Sequence, residues 1–113
     1  MFSTSHHSST DLAEFEARAS EVAAILRVLY ERRLMVVCKL LEWGEANVGT
    51  LAEAVWLSQS ALSQHLAVLR EQGIVAQRRE SQTIWYRIAD AQVEALLATC
   101  YELFCRDAGP AKA

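Results

Sequence analysis

No run of apolar residues in this 113-residue sequence approaches the ~18 that a membrane span requires, and no charged-then-apolar leader opens it. The chain is therefore expected to act in the cytoplasm, with no membrane partner. Cysteine is scarce: Cys38, Cys100 and Cys105 are the whole supply. In a reducing compartment these are not a disulfide framework but buried small hydrophobes, reactive thiols or ligands. Enzyme signatures are missing too, with no Cys-x-x-Cys, no phosphate-binding loop and no carboxylate pair. A thiol enzyme needs a histidine base beside its nucleophile, and outside the N-terminal tail the only histidine is His65, which another task explains better. Neither catalysis nor a bound cofactor is expected. An overall excess of positive charge is also lacking: the formal net charge is −3, so the molecule as a whole is not a basic nucleic-acid binder.

The distribution of charge says more. In residues 1–31, Asp11, Glu14, Glu16, Glu21 and Glu31 outweigh Arg18 and Arg27. In residues 58–88, Arg70, Arg78, Arg79 and Arg87 outweigh Glu71 and Glu80, so a local positive field exists where phosphate contacts would need it. That region opens on Leu57-Ser58-Gln59-Ser60-Ala61-Leu62-Ser63-Gln64-His65-Leu66, the stretch around which the chain is organised. Ser58 is a good N-cap and Gly73 a good stop. Leu62, Leu66 and Leu69 fall on one helical face and should be buried. Gln59, Ser60, Ser63 and Gln64 fall on the other. A solvated face usually carries Glu and Lys; a face of Ser and Gln can donate to and accept from base edges. This segment reads as a DNA recognition helix, with Gln64 suited to pair with adenine. His65 either faces a phosphate or packs beneath the wing described next.

In chain order, residues 1–10 read as a disordered tail, including the His6-His7 pair, and 107–113 as a second tail. Residues 11–106 form one DNA-binding and dimerisation domain. Asp11 with Glu14 resembles a capping box, and a first amphipathic helix runs to Leu29. A second follows through Leu34, Val37 and Leu41 to Gly44, although no strong breaker separates the two. Asn47 caps a short helix over Val48–Val55. Trp56-Leu57 then turns into the recognition helix, with tryptophan where such turns often hold glycine. Beyond Gly73 the period becomes two. Residues 74–79 and 83–88 form the strands of a hairpin, with 80–82 as its turn. A hairpin directly after a recognition helix is the wing of a winged helix, and Arg78 and Arg79 near its tip would meet phosphate or the minor groove. Asp90 caps a last helix with a broad apolar face of Val93, Leu96, Leu97, Cys100, Tyr101 and Phe104. The fold class is mainly α with a β-hairpin wing, a winged helix-turn-helix. The apolar fraction is 52%; in so small a chain it suggests a homodimer through the N- and C-terminal helices, with two recognition helices roughly 34 Å apart on double-stranded operator DNA.

With these elements in place, the chain resembles the ArsR (SmtB/ArsR) family of winged-helix repressors over about residues 12–105. The resemblance is carried by Arg32-Arg33-Leu34-Met35-Val36-Val37-Cys38, by the Leu57–Leu66 stretch, and by Leu69-Arg70-Glu71-Gln72-Gly73-Ile74-Val75. It implies the fold and DNA binding and leaves the inducer open. Metal-sensing members commonly carry Cys-x-Cys before the recognition helix, or Asp/His and His/Glu ligands in the last helix. Here residues 48–55 hold no cysteine and the last helix no histidine, so neither usual metal site is present. Cys38 and Cys105, in their Leu-Met-Val-Val-Cys and Leu-Phe-Cys settings, resemble the sulfide- and redox-responsive branch. That resemblance implies a disulfide or polysulfide bridge between Cys38 and Cys105 that lowers operator affinity, with a reactive sulfur species or oxidant as inducer. Around Tyr30-Glu31-Arg32 the chain is about one residue shorter than such relatives, and one residue turns a continuous helix by ~100°. Two other readings stay open. One is a metal- or metalloid-responsive repressor using Cys38, Cys105 or the tail histidines. The other is an inducer-free DNA-binding regulator acting as an activator or anti-repressor. Cys100, on the apolar face, reads as core.

Overall fold

Capping side chains decide where most of the helices begin. The computed structural model describes residues 8–106. Its first helix, α1 (Ser9–Ala17), is capped by Ser8: the Asp11 N–H donates to Ser8 Oγ at 3.1 Å, and the Ser8 N–H donates to an Asp11 carboxylate oxygen at 3.3 Å. The reciprocal box therefore pairs Ser8 with Asp11 rather than Asp11 with Glu14, and Ser9 and Thr10 are helical rather than tail. The rest of the N-terminal tail, with His6-His7, and the tail at 107–113 lie outside the described residues.

The helix expected to run unbroken to Leu29 is interrupted at Arg18 (φ −102°, ψ 9°), which separates α1 from α2 (Ala19–Val28). A second break falls at Leu29–Tyr30, where Leu29 turns inward to 9% exposure and Tyr30 is extended ahead of α3 (Glu31–Trp43). Neither break uses glycine or proline; at the second, burial of Leu29 accompanies the bend. Gly44, at φ +84°, ends α3 as expected. A two-residue strand, β1 (Ala46–Asn47), was missed by sequence reasoning. It pairs antiparallel with β3, Ala46 opposite Tyr86 and Asn47 opposite Trp85. Asn47 also caps α4 (Val48–Val55) by accepting from the Thr50 N–H at 2.9 Å.

The recognition-helix candidate is α5 (Gln59–Glu71), capped by Ser58, which accepts from the Ala61 N–H at 3.1 Å. Past Gly73 come β2 (Val75–Glu80) and β3 (Thr83–Ile88), one residue later at the start than expected for β2 and joined by Ser81-Gln82. The sheet order is β1-β3-β2, so the wing is the outer part of a three-stranded sheet rather than a free hairpin. Leu62, Leu66 and Leu69 of α5 are fully buried against Val36, Val37 and Leu40 of α3, Leu51 of α4, and Ile74. This core holds the polar face of α5 outward.

The last helix, α6 (Ala91–Tyr101), is capped by Asp90, which accepts from the Gln92 and Val93 N–H groups. It then widens into a π-helical turn over Glu102–Arg106. Of its predicted apolar face only Val93 is buried; Tyr101 and Phe104 are exposed, Phe104 at 71%. Neither α1 nor α2 buries a residue, and Leu12, Phe15 and Leu26 are exposed. The radius of gyration is 16.3 Å, against about 13 Å for a compact chain of this length. Uncovered apolar faces lie on the terminal helices.

Candidate nucleic-acid interface and thiol groove

The α5 face carries the residues expected at the DNA. Gln59, Ser60, Ser63 and Gln64 are all exposed, and Leu62 and Leu66 behind them are not. No acidic residue occupies the first turn, so nothing there repels a phosphate, and the free N–H groups and partial positive charge of the helix end favour one.

His65 sits at the edge of this face and not beneath the wing. Arg33 Nε donates to His65 Nδ1 at 3.2 Å, and the Tyr30 ring meets the imidazole edge-on at 6.0 Å. Arg33 also lies over the Tyr30 ring at 4.9 Å and reaches the Val28 carbonyl at 3.4 Å. An acceptor at Nδ1 places the imidazole proton on Nε2. Burial, and then the charges of Arg33 and Arg32, hold the imidazole below its ordinary pKa, so His65 is a neutral strut between α5 and the α2–α3 junction.

The two wing arginines part company. Directly paired residues share a sheet face. Arg78 lies opposite Trp85, and Arg79 opposite Ile84, so the two side chains leave opposite faces. Arg78 was expected on a phosphate, but two carboxylates occupy it. It makes a bidentate pair with Glu45 (Nε to Oε2 2.7 Å, Nη2 to Oε1 2.9 Å), a third bond to Glu80 at 3.2 Å, and stacks 5.7 Å from the Trp85 ring centre. These bonds hold Arg78 above its ordinary pKa and Glu45 below its own. Arg78 therefore ties the wing to the α3–α4 connection. Arg79 is exposed and has no ion-pair partner among the described residues.

The cysteines meet in one place. Cys38 on α3, Cys100 on α6 and Cys105 on the π-helical turn all line an open apolar groove of about 390 Å³, walled by Leu29, Leu34, Leu97 and Phe104. Of the readings open to the cysteines, a fully buried small hydrophobe fits none: Cys38 and Cys105 are exposed and Cys100 half-buried. The core reading of Cys100 is revised accordingly. The Cys38 thiol is pushed up by partial desolvation and by Cys100 nearby, against a smaller opposite effect of Lys39. All three are free thiols. Among the described residues no group of three His, Cys, Asp or Glu side chains is placed to hold a metal ion, and no helix is long and apolar enough to cross a membrane.

Comparison with known proteins matches the winged-helix fold. The family model described as "Bacterial regulatory protein, arsR family" matches residues 30–77, from the end of the α2–α3 break into the wing. The transcriptional activator HlyU of Vibrio cholerae serotype O1 is 40% identical over 97 residues, covering 85% of this chain and 89% of that protein. The biofilm growth-associated repressor of Xylella fastidiosa (strain Temecula1) is 45% identical over 93 residues, 81% of each chain. The crystal structure of the X. fastidiosa repressor BigR superposes with a TM-score of 0.77 at 44% identity, covering 83% of this chain and 96% of that one. These relatives regulate transcription and are not enzymes. The winged helix, its polar reading face and this similarity over four-fifths of the chain together show that the protein belongs to the ArsR family of DNA-binding transcriptional regulators.

Proposed function

We propose that this regulator is a cytoplasmic homodimeric repressor whose operator affinity is lowered when a persulfide or oxidant links Cys38 to Cys105. The observation that carries the reading is that both thiols open onto the same groove between α3 and α6. In the reduced dimer, Gln59, Ser60, Ser63 and Gln64 meet base edges and neighbouring phosphates, and Arg79 supplies a phosphate contact from the wing. The uncovered faces of α1, α2 and α6 support the dimer: a second apolar groove of about 640 Å³, lined by Phe15, Val22, Leu26 and Leu96, lies among them. Patches of that kind mark association surfaces.

The switch chemistry balances without a cofactor. The thiolate of one cysteine attacks the outer sulfur of a persulfide and releases the parent thiol. The cysteine persulfide so formed is attacked by the second thiolate, which expels hydrosulfide and leaves the disulfide. Further sulfur donors lengthen the bridge to a polysulfide. A bridge ties α6, on the dimer side, to α3, which packs on α4 and α5, and so biases the separation of the reading helices. A coupling of ~1–3 kcal/mol is enough to change affinity about 5- to 150-fold. The test is fluorescence anisotropy on the DNA upstream of the protein's own gene, before and after glutathione persulfide. Affinity should fall, dithiothreitol should restore it, and Cys38→Ser and Cys105→Ser should each abolish the response. Release of DNA by either serine variant under persulfide would overturn the two-cysteine switch.

A further inference from the structure

Trp56 is a residue whose position the folding of the monomer does not explain. It is 90% exposed, whereas Trp43 is 40% exposed and Trp85 half-buried. It stands in the left-handed region, φ 58° and ψ 48°, where it closes α4. The N–H of Trp56 donates to the Glu53 carbonyl at 3.4 Å and that of Leu57 to the Ala52 carbonyl at 3.0 Å. That pair of bonds is the helix ending for which glycine, or sometimes asparagine, is suited, because a Cβ there crowds the backbone. The chain thus accepts local strain and leaves its largest side chain in water, and burial returns nothing for either.

The location accounts for what the packing does not. Trp56 is two residues before Ser58, the cap of α5, so it adjoins the end of α5 that carries the exposed Gln59, Ser60 and Ser63 proposed to face DNA. In a helix-turn-helix that end approaches the duplex, and the sugar-phosphate strand borders it. An indole has a flat apolar face for a deoxyribose, one N–H donor for a phosphate oxygen and no charge. We propose that Trp56 is a DNA-backbone contact of this protein: its ring packs on a sugar flanking the base-reading turn, and Nε1–H donates to the adjoining phosphate. Such a contact fixes the register of α5 without reading sequence. Being uncharged, it releases no counterions. The inference rests on α5 being the DNA-reading helix and is independent of the thiol switch.

The experiment uses the full-length reduced protein and two labelled duplexes, the fragment upstream of its own gene and a scrambled version of equal length. Anisotropy titrations at several salt concentrations are run on wild type, Trp56→Gly, Trp56→Phe and, as a reference, Gln64→Ala. Melting temperature and sedimentation are measured on each. Trp56→Gly is expected to bind both duplexes about ten-fold more weakly, with an unchanged salt slope, an unchanged dimer and an equal or higher melting temperature. Trp56→Phe, which keeps the ring, should recover most of the loss. Wild-type affinity in Trp56→Gly, beside a wild type that binds and a Gln64→Ala that loses preference, overturns this inference and leaves the reading of α5 standing. Weak binding by Trp56→Gly that comes with a lower melting temperature or a dissociated dimer also overturns it, since the residue is then structural. A wild type that binds neither duplex overturns both.

Discussion

Arg78 and Arg79 are adjacent in the chain and face opposite ways in the sheet, so one ties the wing down and the other is left for solvent or a phosphate. Removing the charge of Arg79 should weaken DNA binding on every sequence and reduce the slope of log affinity against log salt by about 0.9, with the melting temperature unchanged. Arg78→Ala should instead lower the melting temperature and loosen the wing, because it strands Glu45; a salt slope that dropped as for Arg79 would show the Glu45 pair to be displaced by DNA. Gln64 is exposed and supports nothing in the core, so Gln64→Ala should cost ~1–3 kcal/mol of discrimination between operator and mutated operator with no loss of stability. His65 carries a pH dependence. Its folded pKa lies below the ordinary value, so well above about pH 6.5 both folded and unfolded imidazoles are neutral and contribute no slope. As pH falls below that value the unfolded chain takes up the proton first, and stability declines until the folded imidazole also protonates and the Arg33 bond is lost. His65→Gln should flatten that part of the stability-against-pH curve; an identical curve in urea melts at pH 5.5 and 7.5 would rule out the assignment.

At the scale of elements, what was legible were caps and periods. Ser58, Asn47 and Asp90 each accept the backbone N–H that their position promised, and the leucines at 62, 66 and 69 are buried as their spacing required. Ser58→Ala should therefore cost ~1 kcal/mol, seen as a drop of several degrees in melting temperature, with DNA affinity reduced further because the cap sits beside the reading face. The elements that escaped the sequence are those made by contact. Nothing in Val28-Leu29-Tyr30-Glu31 breaks a helix; burial of Leu29 and the Arg33 bond to the Val28 carbonyl do. Ala46-Asn47 is too short for any period, and is a strand only because β3 lies beside it.

On the scale of the whole molecule, exposed apolar side chains on α1, α2 and the C-terminal end, among them Leu12, Phe15, Leu26, Tyr101 and Phe104, leave an apolar surface uncovered, beside others on α3 and at Trp56. If a second copy covers it, Leu26→Glu should yield a monomer by sedimentation and lose operator affinity steeply, since a single reading head makes half the contacts. A Leu26→Glu protein that remained dimeric would place the subunit contact elsewhere. The thiol groove shares Leu26 and Leu96 with the second apolar groove, so the proposed bridge would lie beside the proposed dimer surface.

Residue order by itself determined the local grammar: a capped helix with Ser and Gln outward and Leu inward, a change of period to a hairpin, and a run of motifs that fixes the family. Those follow from hydrogen bonds and burial within a few turns of chain, which spacing records directly. Only the tertiary structure decided which charges are free and which thiols are neighbours. Arg78 and Glu45, Arg33 and His65, and Cys38 with the C-terminal pair Cys100 and Cys105 are brought together from distant parts of the chain, because the leucine core sets the angles between elements. No periodicity in the sequence encodes those angles.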